Sequence, residues 1–366
     1  MGDLERFIPC FDFCHSRIPH FALLVTLINL TILICVSPIS VVHTQQSIEI
    51  DEGENQKFGS TYLGYDDIYD EFRRGRCRNC HPAIWREWEK SRHAQAWKDP
   101  IYQKAASEIP DREESCDPCH APQPILITGI GKMPKLREAD RDSGVSCLVC
   151  HVDANGGMHG PPASIDAVVH ANITDEFHQT PIELCGTCHG QPGVPEYNQL
   201  ASFKHSPAAK AGKHCATCHM PAIKRLQSLR SNEPIPGGRH IWIASRSVEM
   251  LKSAVDLKIT FSDNKAVIRI TNKSGHVLPG GGLRIVVLDV NIYDNSGSII
   301  GHEQNSISAT SGEGGDDNRI QPGVTRQFRY GFGNGAEIEA KLRYRLLPTT
   351  PESEWITMAE DRQVVQ

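Results

Sequence analysis

The pattern of hydrophobic and polar positions changes about two thirds of the way along this 366-residue chain. From residue 245 onward, apolar residues alternate with polar ones in short runs, as they do in half-buried strands. These runs are Val255–Phe261, Ala266–Ile270, Leu283–Tyr293, Arg326–Tyr330 and Leu342–Leu346, with turn-forming residues between several of them. The pattern predicts an antiparallel β-sandwich-like domain over residues 245–366.

Residues 76–244 show no comparable pattern. Long aliphatic stripes are scarce there, and Pro and Gly are common. Only Ala83–Trp97 has a composition that favours a helix of some length. Because a domain of this size needs an apolar core, we expect a group other than side chains to supply much of the apolar surface. The prediction is an α and irregular domain, with short helices and loops wrapped around that group.

The first 75 residues divide into a leader and a polar arm. Residues 1–46 contain an apolar run at Phe21–Val36, shorter than the about 20 residues of a membrane span and suited to a signal peptide. No Ala-x-Ala site follows, so a cleaved signal peptide and a retained N-terminal anchor both stay open. Residues 47–75 are expected to be an extended arm packed on the domain that follows. Either interpretation of the leader predicts an exported protein, periplasmic or extracellular, with the membrane involved only if the leader is uncleaved.

The sequence Cys-x-x-Cys-His occurs five times between residues 77 and 219. In this motif both thiols attach a c-type haem and the histidine is the proximal iron ligand. Zinc sites and thioredoxin-like pairs also use Cys-x-x-Cys, but neither requires histidine as the next residue every time. Five covalently attached haem c groups are therefore predicted. The motif residues are Cys77, Cys80 and His81; Cys116, Cys119 and His120; Cys147, Cys150 and His151; Cys185, Cys188 and His189; and Cys215, Cys218 and His219.

Cysteine use and charge narrow the class of protein further. The motifs take ten of the 13 cysteines, and the other three lie within the first 35 residues, so structural disulfides are not expected. The net charge is −6 and no basic stripe appears, which argues against a nucleic-acid partner. Haem propionates would make the folded protein more acidic still.

Iron bound by two histidines needs a second axial ligand for each haem. Outside the motifs and the leader, the histidines are His93, His159, His170, His178, His205, His214, His240, His276 and His302. On the predicted helix, His93 lies about 18 Å from His81, so it would bind a neighbouring haem rather than the same one. His276 stands in a glycine-bounded loop between two predicted strands, from which it could reach the haem domain. Met158 and Met220 are alternative ligands.

Several segments together resemble the multihaem cytochrome c family typified by the c-554 electron carrier of ammonia oxidisers. The matching segments are Trp88–Ala94, Gly144–His151, Met158–Pro161, Leu184–His189 and Cys215–Pro221. Gly275–Gly280 is similar to a Gly-His-x-x-Pro-x-Gly loop of larger relatives that carry a β domain. The resemblance implies His93, His170, His240 and His276 as distal ligands, with His159 and His205 as further candidates and His178 in reserve.

Members of this family are electron carriers, subunits of respiratory complexes or units of extracellular haem filaments. The resemblance thus implies electron transfer along closely spaced, mostly bis-histidine haems in an exported respiratory chain. Redox proteins or other multihaem cytochromes would be the partners, and self-assembly into filaments is one alternative. Another is a nitrogen-compound oxidoreductase with one open haem. The five histidine-ending motifs argue against it, because pentahaem nitrite reductases typically carry Cys-x-x-Cys-Lys at the catalytic haem.

Overall fold

A computed structural model describes residues 62–160, 169–190, 199–309, 316–333 and 336–365. The predicted leader and most of the predicted arm lie outside the described residues. From Tyr62 the chain forms one compact unit. Within the described part of the chain, no helix is both long and apolar enough to cross a membrane.

Up to residue 253 the chain consists mainly of short helices joined by turns, and each Cys-x-x-Cys-His motif lies on or beside a helix of its own. Helices this short are marginal in isolation, so tertiary contacts must hold them. The helices are α1 (Tyr65–Arg73), α2 (Cys77–Cys80), α3 (Pro82–Trp88), α4 (Pro100–Ser107), α5 (Arg112–Ser115), α6 (Asp117–His120), α7 (Ile125–Thr128), α8 (Cys147–His151), α9 (Glu176–Gln179), α10 (Ile182–His189), α11 (Gln199–Lys204), α12 (Pro207–Lys210), α13 (Cys215–His219) and α14 (Val248–Ser253), with 3₁₀ turns at Arg141–Ser143 and Glu352–Glu354.

Two short strand pairs lie among these helices, and two larger antiparallel sheets follow them. The strands are β1 (Met158–Gly160), β2 (Asn172–Thr174), β3 (Ala222–Arg225), β4 (Ile235–Gly238), β5 (Val255–Ser262), β6 (Lys265–Asn272), β7 (Ile285–Tyr293), β8 (Ile299–Ser308), β9 (Thr325–Gly331), β10 (Glu337–Arg345) and β11 (Ile356–Val364). The larger sheets have the orders β5-β6-β9 and β11-β10-β7-β8, and all their pairings are antiparallel. The predicted antiparallel β region is confirmed.

One apolar core serves both larger sheets. Leu257 and Ile268 enter it from the first sheet, and Leu288, Ile338 and Leu342 from the second. Burial alternates strictly along β10, where every second side chain is buried. β7 is buried on both faces over Ile285–Val290, which explains why its apolar residues do not alternate with polar ones there.

Two local expectations were wrong. The arm is not extended at Tyr65–Arg73, which form α1, and α1 buries Ile68 and Phe72 in a cluster with Trp88. That packing confirms that this part of the arm lies on the domain that follows it. The second error concerns the helix predicted over Ala83–Trp97.

The helix predicted to carry His93 ends at Trp88, before that residue, and residues 89–97 form turns. The carbonyl of His93 accepts a hydrogen bond from the backbone N–H of Val145 at 2.9 Å. This carbonyl is therefore not part of an α-helical hydrogen-bond pattern. Gly144 makes this approach feasible, since a Cβ there would lie 2.5 Å from the same carbonyl oxygen. A tertiary hydrogen bond thus overrides the helical composition.

Candidate haem-binding centres

Four of the motif histidines donate a hydrogen bond from Nδ1 to a backbone carbonyl. Because a carbonyl only accepts, Nδ1 must carry the proton, and Nε2 is left with its lone pair available for a metal. The contacts are His81 to Gln227 at 2.7 Å, His120 to Ala96 at 2.8 Å, His151 to His159 at 2.6 Å and His219 to Ile243 at 2.6 Å. Their ring orientations are therefore fixed by the fold.

Four motif histidines also face a histidine from elsewhere in the chain, with nearly identical spacing. The pairs are His81 with His170 (6.3 Å between ring centres), His151 with His240 (6.2 Å), His189 with His93 (6.3 Å) and His219 with His276 (6.3 Å). Two metal–imidazole bonds of about 2 Å each, plus about 1.1 Å from each nitrogen to its ring centre, give roughly the same span. Each pair therefore fits the two axial ligands of one iron.

Burial keeps these imidazoles in the form that binds metal. It lowers the pKa of His93 and of His151 to about 3, and that of His189 and of His240 to about 4. Neighbouring histidines lower each of these pKa values further, and for His240 the charge of Arg225 has a larger effect than that of His81. At neutral pH these rings are uncharged, and neutral imidazole is the metal-ligating form.

The four facing histidines come from non-helical segments. His170 precedes β2, His93 lies in the turns after α3, and His240 follows β4. The backbone N–H of His240 donates to the Glu87 carboxylate at 2.8 Å, and Glu87 is paired with Arg225. Burial would raise the pKa of Glu87, but its hydrogen bonds from Arg225 and the His240 amide outweigh this, and the pKa is lowered.

His276 is supplied by the loop between β6 and β7. The buried Asn272 side-chain amide donates to the His276 carbonyl at 2.8 Å, and Ser274 Oγ donates to the same oxygen at 2.7 Å. From α11, Ser202 Oγ accepts from the Val277 N–H at 3.1 Å. The loop is thus held from the β region and from the helical region at once.

His120 is placed differently from the other motif histidines. None of the nine candidate histidines, all of which lie in the described ranges, shows a ring contact with it, whereas Tyr102 stacks flat on its ring at 3.5 Å and 5°. A ring stacked on the imidazole lies beside the proximal ligand, not across an iron from it. Tyr102 donates to Asp117, which is 1% exposed and forms a two-pronged ion pair with Arg112.

Comparison with known proteins agrees with this geometry. Residues 76–152 match the family model described as cytochrome c554 and c-prime. The crystal structure of a penta-heme cytochrome c552 from Thermochromatium tepidum superposes with a TM-score of 0.58 at 19% identity, covering 83% of this chain and 99% of that chain. Residues 76–152 are therefore similar to the cytochrome c554 family, and the fold of the chain is similar to that of a penta-heme cytochrome.

Other structural matches to this chain are much weaker. A β-glucuronidase of glycoside hydrolase family 2 matches at 12% identity and a TM-score of 0.16, covering 31% of this chain and 11% of that one. A family 2 member from Bacteroides cellulosilyticus matches at 10% identity and a TM-score of 0.18, covering 31% and 14%. These two scores are too low to carry an argument. No curated protein matches the sequence significantly.

The match to the cytochrome c554 family model implies covalently bound haem c, and the motif cysteines of the chain suit that role. All ten are free of disulfides. Burial raises the pKa of Cys147 to about 12 and that of Cys77 and Cys150 to about 11. Hydrogen bonds with the Cys188 and Cys185 thiols lower the pKa of Cys119 and of Cys215, and each of these bonds joins two different motifs. In the described parts of the chain, no group of three or more His, Cys, Asp or Glu side chains could hold a metal ion without further ligands.

The other histidines that the sequence suggested as ligands lie elsewhere. His159 places both ring nitrogens on carboxylates, Nδ1 on Asp175 at 2.7 Å and Nε2 on Asp153 at 3.0 Å. Both ring nitrogens of His178 are also engaged, with Asp175 and with the Cys150 carbonyl. His205 is exposed. Among the described residues, neither His159 nor His205 faces a motif histidine at the 6.2–6.3 Å ring spacing of the four pairs. The sequence did not indicate Tyr102 or the backbone carbonyls that accept hydrogen bonds from the motif histidines, because no motif marks them.

The spatial order of the five motifs differs from their order in the chain. We number the sites 1 to 5 along the sequence. The contacts that join sites are Cys77 with Cys147 in one apolar cluster, Cys150 with Cys188 in another, Cys119 with Cys188 through their thiols, and Cys185 with Cys215 through their thiols. Site 1 therefore adjoins site 3, and site 4 adjoins sites 2, 3 and 5.

Proposed function

We propose that this chain is a pentahaem electron-transfer protein in which sites 1, 3, 4 and 5 each hold iron between two histidines. The four histidine pairs at 6.2–6.3 Å carry this proposal. Haem iron held in this way gains and loses one electron without binding substrate. The chain's own part is to hold both imidazoles neutral, buried and fixed in orientation.

The contacts between motifs support a branched route. Electrons would pass between site 1 and site 3, then to site 4, which also adjoins sites 2 and 5. His93, the distal ligand proposed at site 4, lies close enough to His219 and His240 for their charges to affect its pKa. Site 4 would therefore be the junction of the route.

The setting of this activity is also a proposal. We place the protein outside the cytoplasm, periplasmic or extracellular, in a respiratory chain with redox proteins or other multihaem cytochromes as partners. The apolar run at Phe21–Val36 and the need for covalent haem attachment support export. Within the chain, the β-sandwich over 245–366 is supported by the core that the two larger sheets share. The haem domain over 76–244 is supported by the five motifs that it contains.

A second candidate function rests on site 2. His120 has a tyrosine stacked on it, and none of the described histidines lies opposite. An iron with one protein ligand can bind a small molecule in its open position, as a catalytic metal does. The candidate is a nitrogen-compound oxidoreductase, with Tyr102 and the Arg112–Asp117 pair beside the proximal ligand.

The electron paramagnetic resonance (EPR) spectrum of the oxidised protein tests both candidates. We expect four low-spin haems and one high-spin haem per chain. His276→Ala should convert one more haem to high spin, whereas His302→Ala, at an exposed histidine bonded to Asn291, should change nothing. Five low-spin haems would eliminate the second candidate, and fewer than four would contradict the electron-transfer proposal as stated.

A further inference from the structure

Trp242 lies between two of the proposed distal ligands. Its ring centre is 4.4 Å from that of His93 at site 4, and 5.4 Å from that of His240 at site 3, the latter edge-on at 89°. The same indole packs against the apolar cluster that contains Trp88 and Leu148. One side chain thus contacts the distal ligands of two neighbouring sites.

The backbone of Trp242 is held in an uncommon conformation. Its φ is +43°, in the left-handed region that bulky residues rarely enter. Contacts on both sides impose it, because the His240 N–H is bonded to Glu87 and the Ile243 N–H donates to the His219 carbonyl at 3.1 Å. Strain of this kind persists where surrounding structure fixes the residue, often at functional positions.

The two histidines depend on Trp242 to different degrees. Nδ1 of His240 donates to the Gly238 carbonyl at 3.1 Å, so a hydrogen bond already orients that ring. Nδ1 of His93 is buried and has no hydrogen-bond partner among the residues that the structure describes. The aromatic contact therefore takes the place that a hydrogen bond occupies for other metal-ligating histidines.

We propose that Trp242 is a positioning residue that orients His93 at site 4 and, more weakly, His240 at site 3. The inference rests on the proposed function, since it assumes that both histidines bind iron. Rotation of either imidazole is limited by the same indole, so the ligand geometries of the two sites are coupled. This residue would then set the properties of the site where the electron route branches.

Low-spin EPR signals depend on the angle between the two axial imidazole planes, which makes this orientation measurable. His93→Ala and His240→Ala first identify the signals of sites 4 and 3 by removing them. Trp242→Leu should then shift the site 4 signal most, the site 3 signal less and the others not at all. Trp242→Phe, which keeps an aromatic face, should move the site 4 signal back toward the native position.

Trp355→Leu is the matched control, because Trp355 stacks on Arg343 and Arg345 in the β region. It should leave all signals in place. An unchanged site 4 signal in Trp242→Leu, or equal shifts at every site, would overturn the positioning role. If Trp242→Leu does not mature, the Trp242→Phe spectrum decides by the same comparison. If His93→Ala and His240→Ala remove no low-spin signal, that result would instead contradict the proposed function.

Discussion

The ring of His276 lies parallel to that of His219, with 8° between their planes and 6.3 Å between their centres. His219 ends the last motif, while His276 stands on a loop between β6 and β7, 57 residues further along the chain. In the proposed assignment, the β region therefore supplies a ligand to a haem site in addition to forming its own core. Changes in that region should be visible in the spectrum of one haem.

Gly280→Ala should displace His276. A Cβ at Gly280 would lie 2.7 Å from the imidazole Cε1 and 3.0 Å from Nδ1, closer than real contacts allow. We expect partial or complete loss of the site 5 low-spin signal. Gly281→Ala is the matched control, because its Cβ would meet only the flexible Arg284 side chain at 3.2 Å. Equal effects of the two substitutions on that signal would show that the loop does not position a ligand.

Leu342→Ala should weaken site 5 from a distance. Leu342 is fully buried in the core shared by the two sheets, and such a truncation costs about 2–5 kcal/mol. On heating, the site 5 low-spin signal should be lost at a lower temperature than in the native protein, before those of sites 1, 3 and 4. Val364→Ala, at a position 57% exposed, should change little. Simultaneous loss of all four signals would indicate a single cooperative unit instead.

Arg225→Met should destabilise the segment that carries His240. Side chains of Arg225 and Glu87 are 9% and 18% exposed, and removing one partner of a buried pair costs on the order of 3 kcal/mol. The site 3 signal should broaden and the denaturant midpoint should fall. The exposed pair Lys258–Asp256 gives the control, since Lys258→Met should cost less than about 1 kcal/mol. Similar losses for both substitutions would contradict this ranking.

The intact mass of the mature protein should equal the polypeptide plus five haems. All five motifs are complete and their cysteines are free of disulfides. A mass that is short by one haem would refute the count of five. In a separate experiment, Cys119→Ala should lose the haem of site 2, and the signal that disappears would identify that site in the spectrum. That variant should remove the high-spin signal and leave the four low-spin ones.

Sequence patterns predicted all three strands of the smaller sheet and the two central strands of the larger sheet, but not the edges of the larger sheet. β7 and β10 were found because alternating or continuous burial leaves a clear apolar pattern. β8 and β11 were missed, and they are the two outer strands of the four-stranded sheet. Most of their side chains are not buried. Their sequences therefore lack the alternation of apolar and polar residues by which a strand is recognised.

By itself, the sequence predicted the chemistry of attachment, because its five motifs indicate which cysteines would bind haem and which histidines would be the proximal iron ligands. It also predicted the change from a helical to a β region. Only the tertiary structure decided which distal histidine meets which motif, because partners such as His93 and His189 are far apart in sequence. It likewise decided that Tyr102 lies on His120 and Trp242 beside His93. Such contacts depend on where folded segments meet, and no local pattern encodes that.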